Sequence, residues 1–212
     1  AGTIQTTDTQ MDIGAVTLSA DTTFDTGNAG AGVLNVGAVS GAFALTLDSG
    51  ATTGATIGLT SMTDLTGGLT VRDAGGLVTI GDVGSGTAGA VTITNSQAGV
   101  TFSANVDATT FTITDTTGTV TFADGQDVDI TTDLVTANAG YDVSIQSATF
   151  DAAGDTDFLN TGSVTLGNTD TDVLSFSGGL ATTGNGSNPA PVSAAGTIQT
   201  TDTQMDIGAV TL

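Results

Sequence analysis

The sequence predicts an all-β protein, a parallel β-helix (β-solenoid) with about 21–22 residues per coil and about nine coils per repeat of 194 residues. Three observations lead to this fold. Short segments alternate between apolar and hydroxyl side chains, those segments recur at a regular spacing, and a stretch of sequence is duplicated exactly at long range.

The short segments are typical of strands with one buried face. In Val78-Thr79-Ile80, for example, apolar and hydroxyl side chains alternate with a period of two, and β-branched residues favour extended backbone. Gly, Asn and Asp cluster between the segments, as at 73–76 and 124–125, where turns need them. We therefore expect short strands joined by turns, with the apolar residues inside and the threonines outside.

The segments form two interleaved series, each with a spacing of roughly 20 to 23 residues. The first series comprises 16–18, 36–39, 57–59, 78–80, 100–102, 120–122, 143–145 and 164–166. The second comprises Ile4, Phe24, 45–47, 69–71, 91–93, 111–113, Ile130, Phe150, Val173 and Ile198. An antiparallel sandwich would not need a fixed pitch, whereas a solenoid of stacked coils does.

The duplication defines the predicted domain organisation. Residues 1–18 recur letter for letter as 195–212, which is an offset of 194 residues. We interpret 1–194 as one solenoid repeat unit and 195–212 as the start of the next copy in a tandem array. The Gly/Asn/Pro-rich segment 184–195 contains both prolines, and Pro cannot donate to a ladder, so this segment is predicted to be a loop at the repeat boundary.

The composition excludes several partners and most enzyme chemistry. The 212 residues carry a net charge of −21, because 22 Asp side chains face one basic residue, Arg72, which offsets the acidity beside Asp73. Such a charge repels nucleic acid and anionic membranes. His and Cys are absent, so neither a Ser-His-Asp or Cys-His triad nor an ordinary zinc site can form. We predict no enzyme activity, no nucleic-acid partner and no membrane insertion, since no apolar run approaches about 18 residues.

The Asp residues recur with the coils. One Asp or Asn follows successive segments of the second series, at Asp48, Asp73, Asn95, Asp115 and Asp133. Stacked carboxylates about 5 Å apart repel by nearly 1 kcal/mol per pair even in water, and a bound cation would relieve this. The alternative is that they are ordinary turn residues with solvated charges.

Denser Asp groups occur at Asp124, Asp127 and Asp129, at Asp155 and Asp157, and at Asp170 and Asp172. Calcium takes six to eight oxygen ligands, which carboxylates and loop carbonyls supply. The candidate ligands of a divalent cation, with Ca²⁺ as the candidate cofactor, are Asp48, Asp73, Asp115, Asp124, Asp127, Asp129, Asp170 and Asp172.

The Thr- and Gly-rich segments 162–167 (GSVTLG) and 172–179 (DVLSFSGG) resemble the repeats of giant secreted bacterial proteins, the filamentous-haemagglutinin-like exoproteins and autotransporter-like adhesins. The resemblance implies a β-solenoid, an extracellular or cell-surface location, and a structural or adhesive role. It implies no catalytic residue.

These observations predict a structural repeat unit of an extracellular or cell-surface filament, sheath or matrix fibre, self-associating end to end through strand edges and also laterally. The alternative is the rigid stalk of a giant adhesin whose binding tip lies elsewhere. Two minor alternatives are an ice-binding solenoid, which uneven coil lengths disfavour, and a glycan-active β-helix that uses paired carboxylates.

Overall fold

The computed structural model describes residues 1–183, 189 and 191–212, and over these residues the chain is a parallel β-solenoid of about nine turns. Every strand pairing is parallel, and strands in the middle of the solenoid, such as β11, pair with strands one coil before and one coil after them. The predicted fold class is confirmed. Among the described residues there is no helix, and hence none long and apolar enough to cross a lipid bilayer.

The first twelve strands of the described residues are β1 (Gly2–Gln5), β2 (Met11–Ile13), β3 (Val16–Thr17), β4 (Thr22–Asp25), β5 (Leu34–Ser40), β6 (Leu45–Gly50), β7 (Ile57–Asp64), β8 (Leu69–Ala74), β9 (Val78–Thr87), β10 (Gly89–Ile93), β11 (Val100–Phe102) and β12 (Val106–Ile113). The next twelve are β13 (Thr119–Phe122), β14 (Asp127–Thr136), β15 (Asp142–Ile145), β16 (Thr149–Ala152), β17 (Thr156–Asp157), β18 (Val164–Leu166), β19 (Val173–Phe176), β20 (Leu180–Ala181), β21 (Val192–Ala194), β22 (Thr197–Gln199), β23 (Met205–Asp206) and β24 (Val210–Thr211).

The strands stack into three faces. Face 1 contains β1, β4, β6, β8, β10, the second halves of β12 and β14, and then β17, β20 and β23. Face 2 contains β2, the first parts of β5, β7 and β9, and then β11, β13, β15, β18, β21 and β24. Face 3 contains β3, the second parts of β5, β7 and β9, the first parts of β12 and β14, and then β16, β19 and β22.

The core is built from columns of inward apolar side chains. The column of face 3 contains Val16, Val39, Met62, Val83, Val106, Val128, Phe150, Leu174 and Ile198. Its eight steps cover residues 16 to 198, which gives about 23 residues per coil. Phenylalanine rings pack along the axis, as where Phe102 and Phe122 stack with centroids 5.5 Å apart. Each coil therefore buries its apolar side chains mainly against its two neighbours.

Buried hydroxyl groups close the corner after face 1. The Oγ1 of Thr26 donates to Gly32 O at 3.0 Å, and Ser49 Oγ donates to Ala55 O at 2.7 Å. Both side chains are fully buried. These bonds satisfy backbone carbonyls that the turn takes out of the ladder, so a polar residue is required inside an otherwise apolar core.

One glycine on face 3 shows how closely the coils stack. Gly84 has a φ of 81°, which L side chains rarely adopt, and a Cβ atom there would collide with the backbone oxygen of Asp107 on the next coil. Gly125 has a similar φ of 76°, but nothing lies within 4 Å of the Cβ position. Coil stacking therefore restricts the first position, and backbone conformation alone restricts the second.

The third face is absent from the two series predicted from sequence. The second series follows face 1 from Ile4 to 111–113, but its later members from Ile130 onwards lie on face 3. Val16 likewise belongs to face 3, whereas 57–59 belongs to face 2. The assignment of Ile4 and Ile198 to one column is therefore wrong, because all three faces use similar apolar triplets.

At the predicted boundary loop, residues 184–188 and 190 lie outside the described residues. The chain is back in the sheet at β21, where Val192 pairs with Val164 on face 2. The duplicated segment 195–212 then supplies β22, β23 and β24.

Candidate functional site

The eight Asp residues predicted to bind a divalent cation lie in three separate places. Asp48 and Asp73 lie near the ends of the face-1 strands β6 and β8, and Asp115 follows β12. Asp124, Asp127 and Asp129 lie before and on face 3, and Asp170 and Asp172 lie in the loop before β19. The groups differ in burial and in hydrogen-bond partners, so each is described separately.

The carboxylates after face 1 form a ridge in which successive coils are in register, here called the Asp ridge. Asp25 pairs with Asp48, and Asp48 pairs with Asp73. Asp25 and Asp48 are only 8% and 3% exposed. Each accepts a hydrogen bond from the amide two residues later, at 2.7 Å from Gly27 and 2.8 Å from Gly50. These Asx turns repeat from coil to coil and hold the buried carboxylates in place.

Arg72 neutralises the buried part of the Asp ridge. Its Nε and Nη2 both bind Asp48 Oδ2, and its Nη2 lies 3.6 Å from Asp25 Oδ2. Gln5 Nε2 also donates to Asp25, at 3.3 Å. A buried carboxylate without a counter-charge is costly, so the one basic side chain of the sequence lies between the two most buried carboxylates of the ridge. The cation bound to Asp48 is therefore the guanidinium of Arg72.

Asp73 is held differently. Asn95 Nδ2 donates to Asp73 Oδ1 at 2.9 Å. Burial, and after it the negative charge of Asp48, raises the pKa of Asp73. Amide side chains thus contact both ends of the run of three carboxylates, Gln5 at Asp25 and Asn95 at Asp73, which limits the repulsion that the sequence predicts for this column.

The two later members of the predicted column diverge. Asp115 is exposed and lies two residues past Ile113, as Asn95 lies two residues past Ile93. The expectation that Asp133 belongs to the same turn is wrong, because Asp133 pairs with Thr110 at the start of the face-1 segment. Sequence spacing misplaces Asp133 because β14 carries the chain around a corner without a turn residue.

A second set of carboxylates lies in register on face 3 and is here called the acidic ladder. Asp107 pairs with Asp129, and Asp129 pairs with Asp151. Neighbouring parallel strands are about 4.8 Å apart, so these outward carboxylates stack at about that spacing. Burial, and after it the charges of Asp129, Asp82 and Asp127, raises the pKa of Asp107.

The predicted group at 124–129 contributes to the acidic ladder only in part. Asp129 is a member of it, and Asp127 lies two residues earlier on the same strand, where Thr149 Oγ1 donates to it at 2.7 Å. Asp124 lies before the strand in an exposed turn. Its backbone carbonyl accepts a 3.3 Å hydrogen bond from Gln126.

Asp172 anchors the loop before β19. It is 2% exposed and accepts hydrogen bonds from the amides of Asn168 (2.8 Å) and Thr169 (3.0 Å) and from Thr169 Oγ1 (2.6 Å). Burial raises the pKa of Asp172, but these hydrogen bonds lower it by more, so it lies below its ordinary value. Asp170 points into solvent. The arrangement is that of a loop anchor.

Over the described part of the chain, no three acidic side chains converge in the way that would hold a metal ion. The structure thus places Asp48, Asp73 and Asp172 in hydrogen-bonded or ion-paired positions, and leaves Asp115, Asp124, Asp127, Asp129 and Asp170 exposed. Calcium binding stays a prediction.

Two ladders of hydroxyl side chains run along the solenoid. The face-1 ladder contains Thr3, Thr23, Thr46, Thr70, Thr92 and Thr112. The face-2 ladder contains Thr79, Thr101, Thr121, Ser144, Thr165, Ser193 and Thr211. The outward threonines were predicted, but the expectation that uneven coil lengths spoil their alignment is wrong. Coils along the two ladders vary from 18 residues (Ser193 to Thr211) to 28 (Thr165 to Ser193), and the strands keep their register despite the difference.

Sequence reasoning missed Asp25, Asp107 and Asp151 as members of these arrays. Asp25 and Asp48 share the pattern Asp-x-Gly, which marks the Asx turn. Asp107 and Asp151 sit between two apolar residues, as the outward threonines do. These patterns indicate a turn or an outward position, but they identify the array only when the third face is known.

Together these features define a solenoid repeat protein whose surface consists of in-register hydroxyl and carboxylate ladders. No protein-family model, curated protein or solved structure matches this chain. Fold and surface are therefore the basis for assigning a role.

Proposed function

We propose that the chain is a structural repeat unit of an extracellular or cell-surface bacterial filament, sheath or matrix fibre, in which copies continue one another end to end. The observation that carries the proposal is the apolar core, whose inward columns are uncovered at both ends of the solenoid. Ile4 is 55% exposed at one end, and Ile198, the same position of the repeat, packs against the core at the other. An exposed apolar residue on an unpaired strand edge favours a further strand.

A second copy fills this position from both sides. Ile198 stacks on Leu174, and Ile4 stacks against Phe24. In a tandem array, residue 198 of one copy is also residue 4 of the next copy. This isoleucine then lies between Leu174 of the first copy and Phe24 of the second. Both the apolar column and the parallel ladder then run across the junction, so the stability of the rod adds coil by coil.

The location and setting of the fibre rest on separate support. The resemblance of 162–167 and 172–179 to secreted repeat proteins favours the cell surface or exterior. A net charge of −21 keeps neighbouring rods dispersed or spaced. With no Lys and one Arg, the chain offers few sites to trypsin-like proteases, which suits an exposed fibre.

Calcium is the cofactor that the proposal includes, as a bridge between acidic rods. The exposed acidic ladder, with Asp129 and Asp151, offers closely spaced carboxylates to a divalent cation shared with a neighbouring rod. Calorimetry with millimolar calcium should release heat that is lost in D129N/D151N. No heat, and no shift in melting temperature, would remove calcium from the proposal.

Electron microscopy of chains with one, two and four copies of the 194-residue unit tests the proposal. Each copy should lengthen the rod by about 42 Å, and rods should associate into fibres that fray in chelator. Ile4→Asp at every junction should break the rod, whereas Thr3→Asp on the outward side of the same strand should leave it continuous. Separate beads in place of a rod would contradict end-to-end continuation.

The adhesin stalk is the competing role, because it needs the same rod without self-association. Rods of the expected length that stay dispersed both with calcium and with chelator would favour the stalk. The function would then lie in a binding segment elsewhere in the parent protein.

Ice binding is a second candidate, which the alignment of the hydroxyl ladders favours. Six threonines in register on face 1 form a regular array of methyl and hydroxyl groups. Thermal hysteresis of the chain, compared with that of T70K/T92K, tests it. Equal hysteresis in both, or none in either, would reject this candidate.

A further inference from the structure

We propose that consecutive copies of the repeat are offset by one face of the solenoid, so that each surface feature of a copy points in three directions in turn along an array. The inference rests on the proposed end-to-end array and concerns its geometry. Its evidence is the placement of the duplicated 18 residues, which occupy different faces at their two occurrences.

The strands of the two identical segments differ in face by one step. In the first segment β1, β2 and β3 lie on faces 1, 2 and 3. In the second segment the equivalent β22, β23 and β24 lie on faces 3, 1 and 2. A repeat of 194 residues therefore spans eight full coils and two further faces, not a whole number of coils.

The same strand fits two faces because both faces require the same simple pattern of inward apolar and outward polar side chains. Ile4 points inward beneath Phe24 on face 1, and Ile198 points inward on Leu174 on face 3. Met11 and Met205 likewise pair with Leu34 on face 2 and Leu180 on face 1. An inward apolar residue flanked by outward polar ones satisfies any of the three faces, so identical sequence does not fix identical position.

The offset makes the array continuous. The face-1 strands of the next copy stack on face 3 of the preceding copy, as β22 does. The face-2 strands of the next copy stack on face 1 of the preceding copy, as β23 does. Three copies, at eight and two-thirds coils each, complete 26 coils and about 125 Å before the original arrangement returns. Any side of the rod therefore presents the acidic ladder, the face-1 hydroxyl ladder and the face-2 hydroxyl ladder in succession.

This geometry bears on the partner that the rod accepts. If the copies were aligned, all acidic ladders would form one stripe, and rods would pack or bind cations along that side alone. With the one-face offset, every side of the rod carries the same set of surfaces. The partner that this fits is a second rod of the same sequence, in contacts that are equivalent in three directions.

Engineered disulfides in the 212-residue chain test the offset, because the sequence has no Cys and neighbouring in-register strands lie within disulfide reach. The offset predicts bridges in S175C/Q199C, A181C/D206C and S193C/T211C. Aligned copies predict instead A181C/Q199C, S193C/D206C and S175C/T211C. T121C/S144C, in register within face 2, is the positive control.

We expect loss of both free thiols on mild oxidation in the first three variants and in the control, with both thiols retained in the second three. Bridging in the second set, or in neither set while the control bridges, would overturn the offset. These results do not depend on fibre formation. A bridged first set combined with beaded multi-copy chains would contradict the proposed array and leave the offset within the chain intact.

Discussion

In both the Asp ridge and the acidic ladder on face 3, carboxylates of successive coils lie in register. The two arrays differ in the burial of these carboxylates and in their neighbouring charges. In the ridge, Asp25 and Asp48 are buried and share the guanidinium of Arg72. In the ladder, Asp129 and Asp151 are exposed and have no basic neighbour. Stacking alone thus does not decide how a carboxylate is stabilised, because the buried ones share a counter-charge and the exposed ones face solvent.

We expect the largest effect on stability from Arg72→Leu, which removes the counter-charge of the Asp ridge. It leaves Asp25 and Asp48 buried without a counter-charge, and we expect the free energy of unfolding to fall by about 3 kcal/mol. Denaturant unfolding measures this. R72L/D48N should recover part of the loss, because one buried charge is gone. An unfolding free energy of R72L equal to that of the parent chain would show that Arg72 does not stabilise the ridge.

Gly84→Ala tests whether the acidic ladder is held by backbone packing. The new Cβ would collide with the Asp107 carbonyl oxygen at a positive φ, so we expect a loss of about 2–3 kcal/mol. Gly125→Ala is the matched control with a positive φ and open space, and should cost about 1 kcal/mol. Equal melting temperatures of the two variants would contradict close coil stacking at the ladder.

Asp172→Asn tests how much a buried carboxylate contributes to stability when its partners are backbone amides and a hydroxyl group instead of Arg. Asn keeps the shape but loses charge-assisted hydrogen bonds, so we expect a loss of about 1–2 kcal/mol at neutral pH. Because the folded pKa of Asp172 lies below its ordinary value, its contribution is complete above the unfolded pKa. It is lost as pH falls through the folded pKa. Unfolding curves of parent and variant should therefore converge at acid pH, and a pH-independent difference would contradict the assignment.

Asp107→Asn should have the smallest effect and the opposite sign. Removing one charge from the ladder relieves repulsion, and we expect a gain of about 0.5 kcal/mol at neutral pH. The raised pKa of Asp107 means that stability falls as pH rises through the interval between its unfolded and folded pKa values. The gain should therefore vanish at acid pH and shrink in high salt. Destabilisation by this variant would indicate that the ladder carboxylate makes a favourable contact.

Much of the fold could be predicted from sequence because coil stacking imposes a period on apolar residues. The segments at 78–80, 100–102 and 120–122 were placed correctly, and their threonines are in register. The third face is hard to predict because β5, β7, β9, β12 and β14 each turn a corner within one strand. At these corners β7, β12 and β14 have no Gly or Asn, and β5 and β9 have only a single Gly, Gly37 and Gly81. For the same reason, Ile130 and Asp133 were assigned to the wrong positions.

The candidate site was less predictable than the fold. Sequence spacing correctly placed Asp48 beside Asp73, but it could not show that Arg72 reaches across a coil to Asp48 and Asp25. Burial decides the role of each Asp. Asp170 and Asp172 illustrate this, since a single residue lies between an exposed carboxylate and a loop anchor. A one-dimensional pattern contains no information on that difference.

The most direct test of the account is amide hydrogen exchange of residues 195–212 in the present chain and in a chain that carries one further 194-residue copy. The account predicts that β22, β23 and β24, which each pair on one side only in the present chain, exchange more than about tenfold slower when the next coil covers them. Their protection should then match that of mid-solenoid strands such as β13. Unchanged exchange of this segment after a copy is added would contradict the claim that one solenoid continues from repeat to repeat.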